Sequence, residues 1–373
     1  MGGLMRRIFI LLILISINLL SAAALERYQE SAMGINARLE GLRQSPMPEY
    51  ENQYGEGDEF PDTPTIAKTF AFPYQSASVQ INQMVWRVFD SQGNYQQTRA
   101  NVIPEAVVAM QPFTFREMQG VTVKIHTQLE LNGETLTLDE LDFDLIGSGS
   151  VNQPSSLSPA FIDAYKVLAD NWEYSYLRNL PLARPKMLIL SHANLADYQA
   201  EFIRWKRQLG FEVFVMNAAE AGSSLQEIRN SIQAHYQQHK ADYLLIMGDT
   251  VGSFSVPTNF FPSPEYAEND ADDQYYALLE GDDYFPEMLV GRFSFNDIME
   301  FLVMSKKTIR YESQPYMEDT AWMKRALAIA GNYAEGGLRP STPVLMSRWF
   351  RDRFLDYGYA QVDTVFYPPS YPG

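Results

Sequence analysis

The 373-residue sequence contains no cysteine. That absence excludes disulfides, so stability must come from the core and from any metal the chain binds. It also excludes a lipid-modified N-terminal cysteine. Within these residues it excludes a thiolate nucleophile, the reacting species of cysteine-type acyl transfer. Histidine is scarce, at 4 copies, and basic residues are outnumbered: 29 Lys and Arg stand against 46 Asp and Glu, for a formal net charge of −17. Nucleic acid is therefore a poor partner, because its binding rests on phosphate neutralisation by basic side chains. The acidic surplus favours solubility and attracts cations. The one long apolar run, Ile8–Leu20, is interrupted by Ser16 and Asn18 and falls short of the roughly 20 residues a membrane-spanning helix needs.

What is present is a globular composition, 46% hydrophobic and 20% charged, in a chain long enough for two cores. Residues 1–24 read as a signal peptide. Arg6 and Arg7 supply the positive start, Ile8–Leu20 the apolar stretch, and Ala22-Ala23-Ala24 a small-x-small cleavage site. An uncleaved anchor is the alternative. The expectation is export to the cell surface, the medium or the periplasm, with membrane contact only during export.

Residues 25–146 read as a β-rich N-terminal region. Its first part, Leu25–Pro64, is polar and rich in Pro, Gly and acids, and is expected to run as an extended surface arm. Ser78–Phe89 and Gly120–Leu131 alternate with period two, and Asn132-Gly133 joins the second run to Glu134–Leu138. That pattern predicts a small antiparallel β domain with a tight hairpin. His126, inside the alternation, reads as a strand residue. Gly147–Pro159 is linker-like, and residues 147–185 are expected to be linker plus a connecting helix.

From Lys186 onward strands and helices alternate. Strands are expected at Met187–Leu190, Phe211–Met216, Tyr243–Met247, Leu289–Gly291, Ala326–Ala330 and Gln361–Phe366. Gly210 stops the first helix, Ser224-Leu-Gln-Glu227 is a capping box, and Ser294 is the expected cap of a later helix. This texture predicts an α/β fold with a doubly wound, mostly parallel sheet over residues 186–373. Ligands of such sheets bind outside the carboxyl ends of the strands. Asp249, the acidic segment before Leu289, and Glu335 all follow or flank strand ends.

Asp270–Phe293, DADDQYYALLEGDDYFPEMLVGRF, holds seven acidic residues among aromatic and apolar ones. Oxygen ligands at that density suit a hard cation such as calcium. The spacing Asp283-x-x-x-Glu287, stiffened by Pro286, could hold one ion between two carboxylates, or be a solvated acidic loop. His235 and His239 lie four apart on one helix face, as zinc ligands can, but no third ligand accompanies them, and AHYQQHK reads mainly as a solvated face. Ser191-His192 forms no recognised nucleophile motif.

Tyr243–Asp249 (YLLIMGD), Gly281–Phe293 and Ala334–Gly337 (AEGG) resemble the gingipain-like cysteine peptidases over Lys186 to about Phe366. The resemblance implies the first half of a caspase-like domain and a cysteine-type endopeptidase acting on protein or peptide substrates. It implies structural calcium at Asp249, Asp283 and Glu287, with backbone oxygens of Glu280 and Phe285. Asp270, Asp272, Asp273 and Asp282 are then solvent-facing or capping. It further implies that Glu335 holds the catalytic histidine, fixing its tautomer from the far ring nitrogen. The N-terminal region takes the place of a pro-domain that folds separately and blocks the active site. The family's catalytic Cys and His are expected beyond Gly373, which makes the chain the front part of a secreted enzyme, inactive alone. The alternative is a non-catalytic, calcium-stabilised secreted binding protein derived from a peptidase.

Overall fold

The computed structural model describes residues 25–31, 34–40, 65–262, 269–281, 283–331 and 343–367. The signal segment, Asp282 and the glycine loop carrying Glu335 lie outside them. The described residues fall into two compact units, 25–309 and 310–367.

The first half of the chain supplies strands β1 (Leu25–Ser31), β2 (Gly34–Glu40), β3 (Thr65–Ala71), β4 (Tyr74–Phe89), β5 (Tyr95–Ala100), β6 (Val107–Ala109), β7 (Phe113–Phe115), β8 (Met118–His126), β9 (Gln128–Leu131) and β10 (Glu134–Ser150). One antiparallel sheet runs β1-β2-β10-β4-β5 with β9 on β10; a second runs β3-β8-β6 with β7 on β8. Their inner faces share one core of Leu39, Phe70, Trp86, Val123, Leu138 and Phe143. Alternation puts these residues on one face, and burial of large side chains at roughly 25 cal/mol per Å² holds the two sheets together. On β10 the alternation slips after Leu138, and a bulge between Leu138 and Glu140 returns Leu141, Phe143 and Leu145 to the inside. Asn132 and Gly133 both take positive φ, 55° and 80°, as the hairpin spacing predicts.

Two readings of this half require correction. Leu25–Glu40 is not a surface arm: β2 lies between β1 and β10, with Ile35, Ala37 and Leu39 buried. The alternation of a seven-residue strand was hidden by polar neighbours. Nor is Gly147–Pro159 wholly a linker. β10 continues to Ser150, and at Gly147 an added Cβ would lie 2.2 Å from the Tyr74 ring, so glycine here makes room for an aromatic.

Residues 151–185 carry helix α1 (Ile162–Leu168) and pack under the sandwich. Asn171 exchanges two hydrogen bonds with Ala71, and Asp170 accepts from the Thr69 amide while pairing with Lys68 at 3.2 Å.

The parallel sheet follows. Its order is β12-β11-β13-β16, using β11 (Lys186–Ser191), β12 (Glu212–Asn217), β13 (Tyr243–Met247) and β16 (Leu289–Phe293); a small ribbon of β14 (Asn259–Pro262) and β15 (Asn269–Asp272) precedes β16. Helices α2 (Ala196–Gln208), α3 (Leu225–His239) and α4 (Ile298–Ser313) cover it. Ile228, Ile232 and Tyr236 of α3 pack on Leu188, Leu190, Leu244 and Ile246. Phe202 of α2 and Phe301 of α4 pack on Met187, Ile189 and Val213, on the opposite face. The capping box opens α3: Ser224 accepts from the Glu227 amide, and the Glu227 side chain reaches back to the Ser224 amide. Asp297, not Ser294, caps α4, accepting from the Met299 and Glu300 amides. Among the described residues no helix is long and apolar enough to cross a membrane.

The second unit, taken by itself, pairs β17 (Arg325–Gly331) in parallel with β18 (Gln361–Tyr367), and α5 (Pro343–Asp356) packs on them.

Candidate functional site

The acidic positions separate into two groups, one at each edge of the parallel sheet. Leu289 pairs with Tyr243, the first residue of β13, and its amide bonds to Asp242 oxygen. Glu287 and its turn therefore sit at the amino edge. Asp249 lies two residues beyond the last residue of β13, at the carboxyl edge. The five residues of β13 span about 16 Å at about 3.3 Å per residue. Asp249 and Glu287 cannot share one ion, which corrects the single-site expectation. The cause is strand direction: β13 and β16 run parallel, Asp249 lies beyond the end of the first, and Glu287 lies before the start of the second.

At the amino edge, Glu287 is 2% exposed, and its Oε2 accepts the Leu279 amide at 2.5 Å and the Glu280 amide at 3.0 Å. Burial raises the Glu287 pKa above the ordinary glutamate value; the two amide bonds oppose that, and the charges of Glu280 and Asp283 add to it. Asp283 Oδ1 accepts the Phe285 amide at 2.9 Å, and Glu280 pairs with Lys240. Glu280, Asp283, Phe285 and Glu287 thus form one turn. Among the described residues, however, no three His, Asp or Glu side chains gather as a metal-ligand set. Two carboxylates of one turn are fewer than the 6–8 oxygens calcium takes. The expected three-carboxylate set does not fit, and no functional step is assigned to calcium.

At the carboxyl edge the decisive element is one that sequence reading missed. Arg292 of β16 donates from Nε and Nη2 to the two oxygens of Asp273 at 2.8 and 2.7 Å. Its Nη1 donates to Gly248 oxygen at 2.8 Å and Val256 oxygen at 3.0 Å. Asp273 also accepts from Thr258 Oγ1 at 2.8 Å, so it is no solvent-facing acid. Asp272 does act as a cap, accepting the Gln274 amide. Arg292 lies in the Gly281–Phe293 run, but its partner lies 19 residues upstream across a turn and a 3-10 helix, and no periodicity marks the pair.

The loop 249–258 is pinned from several sides. Val256 amide bonds to Asp249 oxygen, His192 Nε2 lies 3.0 Å from Ser255 oxygen, and Tyr276 donates to Pro257 oxygen at 2.6 Å. Gly248 takes φ 143°, and an added Cβ would lie 1.8 Å from Phe254 oxygen. Asp249 Oδ1 accepts the Thr250 amide at 2.6 Å, and Oδ2 accepts Asn296 Nδ2 at 3.1 Å. The Thr250 amide holds the Asp249 pKa below the usual carboxylate value. Asp249 is thus an anion at neutral pH, beside an ordered loop.

No described group here is an activated nucleophile. Ser191 is 1% exposed and its Oγ has no hydrogen-bond partner. His235 and His239 are not a solvated face. Their ring centroids lie 4.5 Å apart; His235 meets Phe214 of β12 edge-on at 4.9 Å, and His239 tilts against the same ring at 4.5 Å.

Residues 180–371 match peptidase family C25, just over half of the chain. The chain belongs to peptidase family C25. Gingipain R2 of Porphyromonas gingivalis strain W83 is 25% identical over 289 residues, covering 72% of this chain and 37% of that protein. Lys-gingipain HG66 of Porphyromonas gingivalis is 24% identical over 334 residues, covering 86% of this chain and 18% of that protein. The chain therefore spans well under half the length of these C25 relatives. Among solved structures, the complex of Porphyromonas gingivalis RgpB pro- and mature domains matches at 22% identity with a TM-score of 0.42, over 50% of this chain and 43% of that one. The C25 match starts just before β11 and takes in β11–β18 and α2–α5.

Proposed function

We propose that this chain acts in proteolysis as the scaffold of a gingipain-like cysteine endopeptidase with a caspase-like sheet. The observation that carries the reading is the coincidence of the family match, 180–371, with a parallel sheet that begins at Lys186 and carries a pinned polar loop at its carboxyl edge. The sulfur nucleophile comes from outside these residues, since none of the 373 is cysteine, and in this reading the imidazole that pairs with it does too. What this chain contributes is position. Arg292 and Asp273 fix the loop 249–258, and Glu335 would accept from the far nitrogen of the incoming imidazole, holding its tautomer. Substrates are proteins or peptides reaching the carboxyl edge. The signal segment would direct the chain out of the cell, to the surface, the medium or the periplasm. Calcium, if bound, would sit at the Asp283–Glu287 turn, its other oxygens supplied by the Glu280 and Phe285 backbone and by water.

A second reading is favoured by the missing cysteine: a non-catalytic exported binding protein built on a peptidase scaffold. One experiment separates the two. The purified 373-residue chain, and the chain extended by any in-frame coding sequence after it, are assayed against a peptide library with reductant and calcium. The peptidase reading expects no cleavage by the first and cleavage by the second, lost when Glu335 is changed to Ala. A stop codon directly after residue 373, or an inert extension, supports the second reading.

A further inference from the structure

Arg116 occupies the tip of the β7–β8 hairpin, in a two-residue loop between the paired Phe115 and Met118. It takes φ 52°, a left-handed conformation in which glycine is the usual residue at the head of such a loop. An arginine held there needs a compensating reason, and its side chain supplies one. The side chain is 3% exposed, and all five guanidinium N–H groups have acceptors. Nε donates to Glu117 at 2.7 Å. Nη1 donates to Ala241 oxygen at 2.9 Å and to Glu287 oxygen. Nη2 donates to Lys240 oxygen at 3.0 Å and to Asp242 Oδ1 at 2.5 Å. The planar group lies 4.9 Å from the Phe161 ring and 5.7 Å from the Tyr236 ring.

The acceptors belong to the peptidase half. Lys240 and Ala241 follow the end of α3, where carbonyl oxygens are unpaired and the helix dipole is negative. The other oxygen of Asp242 accepts the Lys186 amide at 2.6 Å, so this carboxylate ties the start of β11 to the start of β13. The hairpin adds two rings: Phe113 stacks on Phe285 at 4.7 Å, and Phe115 approaches the same ring at 5.0 Å. The direct contacts between the sandwich and the parallel-sheet half thus gather at the amino edge, across the sheet from Asp249 and Asp273.

We infer that the β7–β8 hairpin is an arginine plug seated in a socket made by the end of α3, Asp242 and the Glu280–Glu287 turn. Through it the sandwich and the parallel sheet fold and open as one unit, and the sandwich is held away from the carboxyl edge. A pro-domain that folds separately and blocks the active site would not be built this way. The socket selects a guanidinium flanked by aromatics: a lysine offers three donors from a point and cannot fill five acceptor positions in one plane.

Hydrogen exchange read by mass spectrometry on the full 373-residue chain tests the inference. In Arg116→Ala and Arg116→Lys, amides of 113–119, 240–242 and 279–289 should exchange about tenfold faster or more, while those of the sandwich core (136–145) and of the carboxyl edge (248–258) keep their rates. Arg116→Gly removes the positive-φ strain but not the loss of contacts, and should behave as Ala does. In wild type the sandwich core and the parallel sheet (243–247) should lose protection together on heating, and in Arg116→Ala at separate temperatures. Should Arg116→Ala not fold, Gly120→Ala gives a milder version: the new Cβ would lie 2.7 Å from the Phe113 ring and push it off Phe285. Unchanged exchange at 113–119 and 279–289 in every variant, or deprotection centred on 248–258, overturns the inference. So does a wild-type chain in which exchange shows the sandwich core (136–145) and the parallel sheet (243–247) opening in separate steps.

Discussion

Arg292 and Asp273 form a two-pronged ion pair at the carboxyl edge of the parallel sheet, 2.8 and 2.7 Å long, with side chains 11% and 21% exposed. The same guanidinium holds the Gly248 and Val256 oxygens, so one side chain joins β16, the end of β13 and the following loop. Arg292→Ala leaves a largely buried carboxylate without its cation and two carbonyls without this donor. It should cost more than about 2 kcal/mol, read as a lower urea midpoint. Arg292→Lys should recover little, because a single ammonium cannot serve Asp273 and both carbonyls. A Lys variant with the wild-type midpoint would show that charge alone matters.

The Glu287 carboxylate is expected to act first as a backbone acceptor. Glu287→Ala orphans the buried Leu279 amide, at a cost of about 1–3 kcal/mol. Glu287→Gln keeps an acceptor oxygen and removes a charge that burial disfavours, so without divalent ions it should be neutral or stabilising. Calcium binding at the turn would appear as a melting temperature raised by calcium and lowered by chelator, a shift lost in Asp283→Ala and kept in Asp249→Ala. No shift in wild type would remove calcium from the account of this protein.

His235 gives a pH dependence with a defined sign. Burial, and then the charge of the neighbouring His239, push its pKa from 6.5 down to about 4. The folded state thus resists a proton that the unfolded chain accepts. Its contribution is complete above pH about 6.5 and is lost as pH falls towards 4. The stability of wild type relative to His235→Phe should therefore fall across that window in urea titrations at stepped pH. A pH-independent difference would mean that the ring protonates freely in place.

Export makes a prediction at the first described strand. Cleavage after Ala24 would leave Leu25, the first residue of β1 and the partner of Glu40, as the mature N-terminus. N-terminal sequencing of secreted protein should start there. An intact chain in the membrane fraction would identify the segment as an anchor.

Local periodicity foretold much of this architecture. Strand β13, the Ser224–Glu227 capping box and the Asn132-Gly133 turn are each decided by neighbours within a few residues. What escaped the sequence is decided at long range. Strand β2 is polar on one face, and only its place beside β10 shows that the other face is core. Arg292 and Asp273 carry no spacing rule, because the chain between them turns back on itself. The family resemblance groups Asp249 with Glu287, whereas strand direction sends them to opposite edges. His235 and His239 look polar in sequence, yet Phe214, from a neighbouring strand, covers them.

Gly248 bears on how this protein would read in a mutational scan. It carries no reacting group, yet its missing side chain is what lets Phe254 oxygen approach so closely. Any other residue there must move the loop 249–258, and with it the relative placement of Asp249 and the Arg292–Asp273 pair. Substitutions at this position should be as intolerant, and as uniform across residue types, as those at a reacting group. Sensitivity at Gly248 would measure the fit between two stretches of backbone, and a map of essential positions would mark geometry with the same colour as chemistry.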